Sequence, residues 1–182
     1  MEAWNGWYHV DCHTYGTWLP GDPRGWREKR HRKHVTGDYH NPPPKGTGDL
    51  LHQRARQALK QPPVHLDRSQ REIAGRALVE MLVSQQIEVL AVSLDSIHFH
   101  LLARFPDKQV RPPVGRAKKH AYHCLRDRGR TGKLWERKSH VTPITGRKHQ
   151  VNVFGYITGH KQQGAWVWTF REGLYWLDNH GQ

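Results

Sequence analysis

Hydrophobic and polar positions recur along this chain with two periods, and the switches between them predict its elements. Tyr8 to Leu19, rich in aromatic and β-branched residues, reads as a first strand stopped by Pro20-Gly21-Asp22-Pro23. Leu50 to Leu59 can form a short helix. Ser69 and Glu72 have the spacing of a capping box, and Ile73, Ala77 and Met81 with Ala74, Leu78 and Leu82 follow at helical spacing. That pattern predicts a helix to about Gln86. Ile87 to Leu94 and the run ending at Phe105 predict a hairpin turned at Asp95-Ser96. Pro113 opens a helix to about Arg126, its apolar face Val114, Ala117, Ala121, Cys124 and Leu125, and Leu134 to Ile144 supplies a last strand. Strand, helix, strand, strand, helix, strand is the order of an α+β, ferredoxin-like split β-α-β antiparallel sheet with its helices on one face.

The hairpin's second strand carries the chemistry. Strand side chains alternate, so Phe99, Leu101, Ala103 and Phe105 point one way while His98 and His100 point the other. Two imidazoles on one face can share a divalent cation, and histidine number alone leaves copper, zinc, manganese and magnesium open. If the helices cover the Phe99 face, something else must cover the histidines. The segment from Gln150 to Gln163 is available. On a helix its Tyr156 and His160, four apart, stack on one face with Asn152 and Gln163 beside them, presenting a nucleophile and a ligand together. Its composition argues the other way, because Val151, Val153, Ile157, Gly155 and Gly159 are indifferent or poor helix formers. The alternative is a strand from Val151 to Thr158, with Tyr156 an ordinary half-buried residue.

Charge narrows the partner. The 182 residues suit one domain, here taken as 1–182 with a basic Gly/Pro-rich insertion at about 21–66. Lysine and arginine number 29 against 16 acids, for a net charge of +13, and the pI is about 10.1. A polyanion is therefore the expected partner, nucleic acid ahead of an anionic membrane because no basic amphipathic segment with a broad apolar face is apparent. Eight tryptophans and six tyrosines add stacking surfaces suited to unpaired bases. Phosphate contacts are expected from Arg24, Arg27 and Arg30 in the insertion, from Lys118, Lys119 and Arg126 on the second long helix, and from Lys161. Two cysteines, Cys12 and Cys124, lie too far apart in sequence for a thiolate zinc motif or a disulfide framework, and a reducing cytoplasm is the expected location. No segment has the pattern of a signal peptide or the length of a membrane span.

These residues resemble a family. His98-Phe99-His100 matches the histidine-hydrophobic-histidine motif of HUH endonucleases, and Tyr156 followed by His160 matches the tyrosine-plus-four ligand pattern of the single-tyrosine HUH transposases. The strand order, Leu134-Trp135-Glu136-Arg137 before the last strand, and Tyr8 to Trp18 extend the likeness, which is greatest to insertion-sequence or REP-associated tyrosine transposases. The resemblance implies a tyrosine-bearing helix over the histidine face, with His98, His100 and His160 holding Mg2+ or Mn2+. It implies that Tyr156 attacks a scissile phosphate in single-stranded DNA, giving a 5′-phosphotyrosine and a free 3′-hydroxyl that later rejoins strands. A flanking DNA hairpin is the expected recognition element. Some relatives are homodimers that exchange tyrosine helices, and others act as monomers. Many carry glutamine or asparagine four after the tyrosine, so Gln162 and Gln163 stand as alternatives to His160; a third imidazole favours manganese or another transition ion over magnesium. Two other readings fit the composition: a non-catalytic nucleic-acid binder derived from a transposase, either a regulator or an RNA binder, and a histidine-rich metal-binding protein, given 15 histidines.

Overall fold

The computed structural model describes residues 3–25 and 46–172. The centre of the basic insertion, with Arg27 and Arg30, lies outside the described residues. The described elements are β1 (Trp7–His13), α1 (Asp49–Gln57), α2 (Arg68–Ser84), β2 (Glu88–Leu94), β3 (His98–Arg104), α3 (Arg111–Arg126), β4 (His140–Pro143), α4 (Arg147–Gly159) and β5 (Trp166–Thr169). The strands form one antiparallel sheet in the order β4-β1-β3-β2-β5. The first four reproduce the α+β, ferredoxin-like arrangement, and β5 is an added edge.

Alternation along the central strands sorts side chains to two cores. Val10 and Cys12 of β1, Val92 and Leu94 of β2, and Phe99 and Leu101 of β3 pack under α2 and α3. On the opposite face Trp7, Ala91 and Leu102 pack with Ile144 and with Val153 and Ile157 of α4. The covering element is thus a helix, against its own propensity. Burial follows a helical period, taking in Gln150, Val153, Ile157 and His160, while Val151, which a strand would bury beside Val153, stays 52 % exposed. Packing of two apolar residues a turn apart outweighs a penalty of about 1 kcal/mol for each glycine.

Several boundaries differ from expectation. The first strand ends at His13 rather than Leu19, because Thr14 and Thr17 turn inward to hydrogen-bond each other (3.1 Å) and the carbonyl of Ile97 (3.0 and 3.2 Å), and Gly16 takes a left-handed φ of 74°. The cap of α2 is Asp67, whose Oδ1 accepts from the Gln70 N–H (2.8 Å) while Gln70 Oε1 accepts from the Asp67 N–H (3.2 Å). Ser69 already lies inside the helix, and Glu72 pairs with Arg76 instead (3.1 Å). Only His140–Pro143 of the expected last strand pairs as a strand. Residues 134–138 run irregularly beside Thr14, letting the Trp135 indole turn inward against Phe99 and donate to the Lys118 carbonyl (3.0 Å).

Strand β5 was not expected from the sequence, and a glycine seats it. A Cβ on Gly75 of α2 would lie 2.1 Å from the Trp166 ring, so only glycine leaves room for that tryptophan. Gly75→Ala is expected to destabilise the protein by about 1–3 kcal/mol net of the ~1 kcal/mol alanine gains in helix propensity, read as a lower urea midpoint.

Candidate metal centre and tyrosine

Strand β3 presents His98 and His100 towards α4, and the register sets His13 of β1 opposite His98 and Asp11 opposite His100. At the end of α4 the chain tightens into one 3-10 turn, His160–Gln163, which turns His160 inward. It is 7 % exposed, as is His100, whereas Gln162 and Gln163 point to solvent. One ring nitrogen from each of His98, His100 and His160 lies within 4.8 Å of the others. Tyr156, half exposed on the same helix, brings its hydroxyl to 3.4 Å from His100 Nε2 of its own chain.

The surrounding polar contacts engage the same nitrogen, Nδ1, of all three rings. His160 Nδ1 donates to the Tyr156 carbonyl at 2.9 Å. His100 Nδ1 lies 3.1 Å from His9 Nε2. His98 Nδ1 lies 2.7 Å from Asp95 Oδ2, which is set off the N–H direction, and Asp95 Oδ1 is held by the Ile97 and His98 N–H groups at 2.7 Å each. With the Nδ1 atoms of His160 and His98 beside a carbonyl and a carboxylate and that of His100 beside His9, the Nε2 atoms are the ones left to bind, the usual disposition of metal-ligating histidines. On the same face Ser93, opposite His100 on β2, has a buried hydroxyl without a hydrogen-bond partner among the described residues. Three imidazole nitrogens within 4.8 Å of one another, beside that hydroxyl, fit a divalent cation.

Electrostatics agree with that fit. His100 is pushed down to about 2, first by burial and then by the fields of His98, His9 and His160, so its lone pair stays free to bind a cation. The Tyr156 hydroxyl is raised, first by burial and then by the Asp11 and Asp95 carboxylates. No charge among the described residues lowers the Tyr156 hydroxyl, and a nearby positive charge would do so.

The expected phosphate contacts are placed unevenly. Lys119, Arg126 and Lys161 are exposed, Arg126 beside Asp127 (3.1 Å). Arg24 lies on Trp18 and pairs with buried Asp22, its Nε 2.9 Å from Oδ1. Lys118 is corrected: it is 8 % exposed and spends its ammonium on the Glu136 carbonyl (2.7 Å) and Ser139 Oγ (3.4 Å), so it braces the 134–138 segment rather than facing a ligand. Sequence reasoning missed His9, Asp11 and His13. Their signal was the alternation of β1, in which Tyr8, Val10 and Cys12 take the core side.

No protein family model matches the sequence, and no curated protein matches it. Among solved structures the chain is similar to a REP-associated tyrosine transposase solved bound to a REP hairpin, at 12 % identity and a TM-score of 0.50, over 90 % of this chain and 72 % of that one. At that identity the likeness establishes a related fold. Among the described residues no helix is long and apolar enough to cross a membrane.

His13, stacked between Trp18 and His98, is held down to about 4, first by burial and then by the charge of His98. Its folded pKa lies below the unfolded value near 6.5, so the unfolded chain takes the proton first. The stabilisation this gives is complete above about pH 6.5 and drains away as pH falls towards 4. Urea midpoints of the metal-free protein should therefore fall between pH 7 and 4.5, and His13→Gln should flatten that slope.

Proposed function

We propose that this chain is a metal-dependent tyrosine transposase that cleaves and rejoins single-stranded DNA. One observation carries the reading: the Tyr156 hydroxyl stands 3.4 Å from His100, in a cluster with His98 and His160 whose ring nitrogens converge within 4.8 Å. The fold shared with a hairpin-bound tyrosine transposase and the net charge of +13 support it.

In this reading His98, His100 and His160 hold the ion and Tyr156 is the nucleophile. A bound Mn2+ or Mg2+ would supply Lewis-acid polarisation of the phosphate and draw the phenol pKa down. The Tyr156 oxygen forms the new P–O bond as the bond to the 3′-oxygen breaks, leaving DNA on the enzyme through its 5′-phosphate and a free 3′-hydroxyl. Attack by a 3′-hydroxyl on that linkage releases the tyrosine and restores a phosphodiester. Exposed Lys119, Lys161 and Arg126 and the basic insertion, including Arg24, Arg27 and Arg30, contribute phosphate contacts. A hairpin flanking the cleavage site is the recognition element. In this reading Tyr156 serves the histidines of its own chain, towards which its hydroxyl is turned at 3.4 Å from His100.

Labelled single-stranded DNA from both flanks of the gene, mixed with the protein and Mn2+ and then denatured, is expected to leave a covalent adduct. Tyr156→Phe or omission of metal should abolish the adduct, and His98→Ala should reduce it at least ~100-fold. Salt-sensitive binding with no adduct, unchanged in Tyr156→Phe, would establish the binding-only reading instead. Because the donors are three imidazoles, calorimetry should show Mn2+ binding at least about tenfold tighter than Mg2+.

A further inference from the structure

We infer that His9 is a positioning residue for His100, accepting the Nδ1–H of that ring at Nε2 and thereby holding the His100 Nε2 lone pair towards Tyr156 and the other two imidazoles. The inference rests on the metal centre proposed above. A neutral imidazole has one N–H and one lone pair, and the partner of one nitrogen decides which atom carries which. His100 Nδ1 is 3.1 Å from His9 Nε2, while its Nε2 faces the Tyr156 hydroxyl at 3.4 Å. His9 is thus to His100 what Asp95 is to His98 and the Tyr156 carbonyl is to His160, and it completes a set of three. Like the Tyr156 carbonyl and unlike Asp95, His9 carries no negative charge, so it fixes the ring without adding such charge beside the nucleophile.

Adjacent geometry explains how His9 keeps its own place. Its ring packs at 5.2 Å from His100 and edge-on to Tyr156 at 6.2 Å. Asp11, two residues along the same face, has a carboxylate oxygen within 4.8 Å of the His9 and His100 nitrogens and sits 3.2 Å from His140 Nδ1 on β4. His9, Asp11 and His100 could themselves hold a cation, and that is the rival arrangement. With both sites filled, His100 would have to give up its remaining proton and bridge two ions. The 3.1 Å separation is that of a hydrogen bond already made, and it favours positioning.

Two measurements test this with Mn2+ alone and no DNA. Long-range 15N–1H correlation spectra of the metal-free protein at pH 7.5 should show His100 protonated at Nδ1; protonation at Nε2 overturns the inference whether or not any variant folds. Calorimetric titration should then show one Mn2+ per chain, about 10–100-fold weaker in His9→Leu, with most of the loss restored in His9→Gln, whose amide oxygen can accept the same hydrogen. Wild-type affinity in His9→Leu would remove His9 from the site and leave the metal reading intact. Equal losses in the leucine and glutamine variants would make His9 a ligand, the rival arrangement. No binding by the wild type would overturn the metal centre and this inference together.

Discussion

The two-sidedness of β3 is the constraint on which the rest depends. A central strand must bury both faces, and here one face takes Phe99, Leu101 and Ala103 under α2 and α3 while the other offers His98 and His100 beside Leu102. Burying imidazoles costs free energy unless each nitrogen finds a partner. The chain sets the Tyr156 carbonyl, His9 and Asp95 beside one nitrogen each of His160, His100 and His98, and brings one ring nitrogen of each within 4.8 Å of the others. The same burial that threatens stability keeps His100 neutral and able to bind a cation.

The tyrosine helix belongs to that solution. Leu102 and Ala91 form an apolar floor beside the histidines, Val153 and Ile157 sit on it, and Tyr156 is carried over His100 as a consequence. The helix need not be stable by itself, since docking supplies what Gly155 and Gly159 forgo. Among the described residues both glycines have open space where a Cβ would stand, so no packing contact described there requires them.

Most of the sheet could be read from the chain because its strands alternate cleanly and its helices carry period-3.6 faces. The His98, His100 and His160 grouping was accessible for the same reason, through a strand period of two and a helical step of four. What was not legible had physical causes. Two overlapping capping patterns, Asp67 with Gln70 and Ser69 with Glu72, differ only in where the extended chain ends, which is fixed by the Leu66 N–H bonding the Ser96 carbonyl at 2.7 Å. Lys118 looked like a surface cation because helical spacing does not reveal that an irregular strap lies over it. The roles of His9 and Asp11 depend on the β1–β3 register, which neither strand states alone. Strand β5 is four residues long with no turn chemistry to announce it, and its place depends on a notch at Gly75, ninety-one positions before Trp166.

The sheet order has one more consequence. The helix α4 leaves β4 at one margin of the sheet and delivers the chain to β5 at the other, so it lies across the strands like a strap buckled at both ends. One buckle is the Ile144 backbone, bonded to Trp7 and Trp4 at 3.0 and 2.7 Å, and the other is Trp166 in its notch. A helix fastened this way can be lent to a second copy only by unzipping β5 from β2 and carrying that strand along. Were two copies to exchange this helix, the exchange would be an edge-strand event, governed by the grip of Trp166 on Gly75.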